Sequence, residues 1–91
     1  MFEILRQIQF KKDLKLAKKQ GKNLNLLKIA IEMLLEGEEL PQKYKDHLLI
    51  GNYANTRECH IQSDWLLIYR IDKELKVLYL IRTGSHSELF D

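Results

Sequence analysis

Ninety-one residues, 45% of them hydrophobic and 31% charged, make enough chain for one domain with a single modest core, and residues 1–91 are read as that domain. No apolar run approaches the roughly 20 residues needed to cross a bilayer, the opening MFEILRQIQFKK lacks the order of a secretory signal, and the single Cys59 rules out an internal disulfide, so a cytoplasmic protein with no membrane partner is expected. The net charge of +2 hides a split, with eight basic and two acidic side chains in residues 1–30 against seven and eleven in the remainder. Such a split points to a polyanion or an acidic protein facing the N-terminal half; a solvated lysine-rich helix face is the plain alternative.

Phe2, Ile4 and Ile8 fall on one side by alternation, which predicts a first strand over residues 2–8. Phe10, Leu14 and Ala17 then recur at helical spacing among lysines, so a helix is expected over residues 9–19, stopped by Gly21. Asn23 is a good N-cap for a second helix whose Leu24, Leu27, Ile31 and Leu34 form one apolar stripe, ending at Glu36 and Gly37. The short connection between the two makes an antiparallel helical hairpin. Residues 38–46 are polar, contain Pro41 and read as a loop. A short strand follows over residues 47–50, with Gly51 and Asn52 as its turn. Residues 57–62 alternate, with Arg57, Cys59 and Ile61 on one face and Glu58, His60 and Gln62 on the other. Ser63 and Asp64 turn into the apolar run from Trp65 to Tyr69, which suits a central strand covered on both faces. Residues 72–74 turn into a last strand over 75–81, which ends in Arg82 and a Thr-Gly turn. The order β-α-α-β-β-β-β describes an α+β fold of two layers, an antiparallel sheet with the helical hairpin on one face.

In a meander of the last four strands, alternate turns share one end of the sheet. His60 ends its strand there, Asp64 lies in the next turn, and Arg82 and His86 return to the same edge; His47 begins its strand near it. All three histidines of the chain thus converge on one rim. One imidazole can accept a proton while another donates one. An arginine offers a fixed fork to a phosphate oxygen, and Phe90 offers a face to an exposed base. Asp64 can orient an imidazole. Together these parts suit metal-free cleavage of RNA, in which the 2′-hydroxyl attacks its own phosphate and an acid protonates the departing 5′-oxygen. The same side chains have plainer readings: an Asx turn at Asp64, an Arg82–Glu58 surface pair, a C-terminal core plug at Phe90. Three His and an Asp are also a conceivable zinc set, but neither HExxH nor CxxC spacing is present, so no metal and no other cofactor is expected.

The segments KDHLLIGNY (45–53), RECHIQSDWLLIYR (57–70) and LIRTGSHSELF (80–90) strongly resemble the motifs of YafQ-type toxins in the RelE/ParE superfamily. The first half agrees in element order only. The resemblance implies a toxin of a bacterial type II toxin–antitoxin pair that enters the ribosomal A site, cuts mRNA there without a metal and is held inactive by a cognate antitoxin, the free toxin being a monomer. It implies that His47, His60 and Asp64 are active-site residues, His86 the proton donor at the scissile phosphate, Arg82 the phosphate ligand and Phe90 the aromatic that positions the base. His60 aided by Asp64, or else His47, is the expected general base. Lys11, Lys12, Lys15 and Lys18 become contacts for ribosomal RNA with a strong salt dependence. Tyr53 stands where a tryptophan is common, Ser63 where a proline is, and Ser85 where a threonine is; none of these removes a proton-transfer group. A non-catalytic ParE-like inhibitor of DNA gyrase and a plain RNA-binding module are the rival readings, and the clustered histidines favour the enzyme.

Overall fold

The computed structural model describes residues 1–90. The chain lays down β1 (Glu3–Arg6), α1 (Ile8–Lys19), α2 (Leu24–Leu35), β2 (His47–Leu48), β3 (Arg57–Gln62), β4 (Trp65–Asp72), β5 (Val77–Gly84) and α3 (His86–Phe90), with single 3-10 turns at Gln42–Tyr44 and Gly51–Tyr53. The two-layer α+β architecture and the helical hairpin are as expected. Asn23 caps α2 with its side-chain oxygen, which accepts from the Asn25 N–H at 3.1 Å. Both helices end in left-handed glycines, Gly21 and Gly37, each with φ near +76°. In each case the next two N–H groups fold back on the last turn, Gly21 and Lys22 onto Lys18 and Ala17, Gly37 and Glu38 onto Leu34 and Met33.

The sheet order is β1-β5-β4-β3-β2. Strands β2 to β5 form the antiparallel meander, but β1 lies parallel to β5, with Glu3 opposite Val77 and Arg6 opposite Leu80, so the sheet is mixed. A meander leaves the outer edge of β5 unpaired, and β1 satisfies those backbone groups from the same direction. β1 is shorter than the alternation implied. Ile8 is not its last inward residue but the exposed first residue of α1.

β4 is covered on both faces. Trp65, Leu67 and Tyr69 join Phe10, Ala17, Leu27, Ala30 and Leu34 of the helices and Leu78 and Leu80 of β5 in the main core. Leu66 and Ile68 face the other way, where Leu89 of α3 closes a second, smaller cluster. Cys59 and Ile61 follow the predicted inward face of β3. Each fully buried Leu or Ile contributes about 1.5–3 kcal/mol. Asp46 ties the loop before β2 to the sheet, accepting from the Tyr69 hydroxyl at 2.6 Å and from Arg57 Nε at 3.3 Å.

Two departures from a regular ladder decide what the outer face carries. Between β4 and β5 the register shifts: Ile68 pairs with Arg82 and Tyr69 with Leu80, so Ile81 is an extra residue. Such a bulge reverses the phase of a strand. Without it Arg82 would follow Leu78 and Leu80 toward the core. The strand also runs on through Thr83 and Gly84, where a turn is expected from the Thr-Gly pair. α3 then folds back over Gly84, where an added Cβ would lie 3.0 Å from Glu88 Oε1 and 3.3 Å from Leu89 Cδ2.

Candidate active site

The outer face of β3 presents Glu58 and His60, and β2 brings His47 alongside, opposite Glu58 in register. His47 Nε2 and His60 Nε2 approach the same Glu58 oxygen, Oε1, at 3.6 and 3.5 Å. The Glu58 side chain is only 5% exposed, so this is a buried acid under two imidazoles. His47 Nδ1 lies 2.7 Å from the Lys45 carbonyl and must donate to it, since a carbonyl only accepts.

α3 supplies the next two rings. Ser85 and Glu88 make a reciprocal cap: the Ser85 hydroxyl accepts from the Glu88 N–H at 3.2 Å and Glu88 Oε1 accepts from the Ser85 N–H at 2.8 Å. Those bonds, with Gln20 Nε2 donating to Oε2 at 3.0 Å, hold the Glu88 carboxyl below the usual carboxylate range. Asp64 accepts from the backbone N–H of His86 at 3.0 Å and lies 2.9 Å from its Nδ1. The backbone bond, then the ring bond, lower the Asp64 pKa, so the carboxylate is ionised and Nδ1 carries the proton. Nε2 of His86 is left for another partner.

The rings form a line. His47 and His60 are 6.5 Å apart between centroids, His60 and His86 5.9 Å, His86 and Phe90 6.2 Å. Phe90 is 45% exposed and meets Tyr53 edge to face at 5.7 Å, so it is not a core plug. Arg82 comes in from the side. It donates from Nη1 to the Tyr53 hydroxyl at 3.2 Å and pairs with Asp13 of α1 at 2.7 Å, not with Glu58. The hydrogen bond to Asp13, more than the opposing effect of burial, raises the Arg82 pKa, so the guanidinium is always charged.

The predicted residues His47, His60, Asp64, Arg82, His86 and Phe90 therefore meet at one rim. One pairing differs from expectation: Asp64 serves His86, and the carboxylate beside His60 is Glu58. Asp64 is in the turn past β3 and reaches α3 across it, whereas Glu58 shares the His60 face by simple alternation. Lys11, Lys12, Lys15 and Lys18 are exposed on α1; the helix reaches the rim through Asp13 and its capping residue Gln20. Glu58, His60 and His86 each place a ligand atom within 4.8 Å of the other two, close enough to close on one cation.

A family model described as a bacterial toxin of type II toxin–antitoxin systems, YafQ, matches residues 2–91. The chain belongs to the YafQ toxin family. The mRNA interferase toxin YafQ of Escherichia coli K12 is 42% identical over 83 residues, covering 90% of this chain and 88% of that protein. The YafQ fold is shared in full: the E. coli DinJ–YafQ complex gives a TM-score of 0.91 at 39% identity over 100% of both chains. A metal-bound toxin from Helicobacter pylori gives 0.92 at 46% identity over 99% of this chain and 100% of that one. The three YafQ-like motifs lie on β2, β3–β4 and β5–α3, so family likeness and site geometry fall on the same segments.

Proposed function

We propose that this toxin is an mRNA interferase, an endoribonuclease that cuts mRNA in the ribosomal A site by attack of the 2′-hydroxyl, with histidines moving the protons. The observation that carries this is the line of three imidazoles ending on an exposed phenylalanine, with a fixed arginine beside it. His86, its Nδ1–H held by Asp64, gives its Nε2 proton to the departing 5′-oxygen. His60 is the base. Its Nε2 faces Glu58, which leaves Nδ1 to take the 2′-hydroxyl proton, whereas the Nδ1 of His47 is engaged by the Lys45 carbonyl. His47 turns both ring nitrogens to acceptors, the Lys45 carbonyl and Glu58, and so leaves the 2′-hydroxyl proton to His60. As O2′ bonds to phosphorus and the P–O5′ bond breaks, Arg82 meets the charge that grows on the phosphate oxygens. The products are a 2′,3′-cyclic phosphate and a free 5′-hydroxyl. Phe90 stacks on a base near the cut. No step uses a metal.

Lys11, Lys12, Lys15 and Lys18 give α1 a cationic face for ribosomal RNA. The partner in the cell is a cognate antitoxin, in keeping with the DinJ–YafQ assembly of the E. coli relative; the free toxin is a cytoplasmic monomer.

The test is to express the wild type and His86→Ala in cells and map mRNA 5′ ends. Wild-type cuts that vanish in the variant support the nuclease. Growth arrest with intact mRNA, unchanged in the variant, would shift the reading to inhibition of a protein target such as DNA gyrase.

A further inference from the structure

We propose that Asp13 of α1 is a positioning residue for Arg82, an inference that rests on the ribonuclease reading. Asp13 occupies the buried face of its helix between Phe10 and Ala17, where an acid has no packing role. Four donors converge on its carboxylate: Arg82 Nε at 2.7 Å, Arg82 Nη2 at 3.1 Å, the Thr83 backbone N–H at 3.1 Å and Gln9 Nε2 at 3.1 Å. Two of them come from the same guanidinium, and a bidentate pair fixes the plane of the fork as well as its place. The Thr83 contact ties that carboxylate to the backbone of β5 just past the bulge, so anchor and arginine share one frame.

Tyr53 holds the other side. Arg82 Nη1 donates to its hydroxyl, and that hydroxyl lies 3.4 Å from the Leu89 carbonyl of α3. The remaining N–H groups of Arg82 have no partner among the described residues and are left for a phosphate. An untethered arginine would spread over many rotamers and lose that freedom at the moment of reaction. Electrostatic stabilisation works when donors are aimed before charge develops. Asp13 supplies the aim. Its negative charge also opposes the pull of Arg82 on RNA in the ground state, so its removal lowers kcat without raising KM.

The experiment measures cleavage on purified translating ribosomes by the wild type, Asp13→Asn, Arg82→Ala and the double variant, with the Arg82 Nε–H followed by 15N NMR. Asn keeps the size and one acceptor but loses the charge and the bidentate pair. Asp13→Asn is expected to lower kcat on the order of 10²-fold with KM unchanged or lower. Its Arg82 signal broadens, and in the Arg82→Ala background it has no further effect. An equal loss in that background, a loss that merely tracks the fraction unfolded, or full kcat with the Arg82 signal displaced would overturn the proposal. Intact mRNA with the wild type itself would sink the ribonuclease reading and this inference with it; a displaced Arg82 with full cleavage sinks this inference alone.

Discussion

Asp64 grips His86 twice, once through the backbone N–H at 3.0 Å and once through ring Nδ1 at 2.9 Å, so one carboxylate sets both the start of α3 and the tautomer of its histidine. Asp64→Asn retains an acceptor for the N–H but no longer favours a charged ring. Cleavage is expected to fall about 10²-fold or more, the scale of a lost proton-transfer partner, with little change in Tm. The Asp64 pKa is depressed in the fold, so the contribution of this contact is complete above the ordinary carboxylate range and lost as pH falls through the lowered value. An NMR titration should show the His86 amide moving at a pH below that of a free aspartate, and in Asp64→Asn that step should be gone.

Glu58 is the acid that two imidazoles share at 3.6 and 3.5 Å. Glu58→Gln keeps the shape and removes the charge that orients His60. A loss of cleavage of about 10–10² is expected with the fold retained, since charge removal at a buried site relieves desolvation. Rates on translating ribosomes, set beside a urea melt of the same samples, check it.

Cleavage needs His60 free to take a proton and His86 free to give one, and each of these rings places a nitrogen within 4.8 Å of the other and of a Glu58 oxygen. A chelator selective for transition metals, which leaves the ribosome its magnesium, is therefore expected to leave the rate unchanged. Zinc added in excess should slow it by occupying the nitrogens that move protons, and the slowing should disappear in Glu58→Gln as affinity drops. Activation by zinc would contradict the proton-transfer scheme.

Leu89 is the one fully apolar anchor of α3, 6% exposed against Leu66 and Ile68. Leu89→Ala is expected to cost about 2–3 kcal/mol by loss of buried surface and a cavity. Because α3 carries His86 and Phe90, cleavage should fall further than the unfolded fraction explains. Gly84→Ala crowds the same helix from below through Glu88 and Leu89 and should act in the same direction. Urea unfolding followed by tryptophan fluorescence, paired with activity at low denaturant, separates the two effects.

Burial first, then the charges of Asp46 and Glu58, push the Cys59 thiol up to about 12. It is a packed side chain and not a nucleophile. At pH 8 it is expected to resist iodoacetamide in the native protein and to react at once in urea, as mass spectrometry would show. Fast labelling of the folded protein would contradict this.

The hairpin, the Asn23 cap, the alternation of β3 and the convergence of the histidines were legible because each is a local pattern or follows from meander topology. The missed features need information that periodicity does not hold. The parallel seat of β1 is decided by which sheet edge remains open. The bulge at Ile81 cannot be read from the unbroken apolar run over residues 77–81, and it turns Arg82 outward. α3 had a signal, the Ser85 to Glu88 spacing of a reciprocal cap, and so did Asp13, a lone acid on a buried helical stripe. Glu58 stood on the His60 face from the start. That Asp64 reaches back to α3 and not to His60 depends on the bonds at one helix start, which no spacing rule encodes.

Glu3 opposite Val77 joins the first strand to the last. Contacts so far apart along a chain form late, because the loop between them must close first. Arg82 draws its orientation from Asp13 of α1, a contact of similar span, so a partly assembled chain is expected to hold the rings without the fork. During refolding, the catalytic hazard of this molecule should return only with that final joining, after its helices and meander have already taken shape.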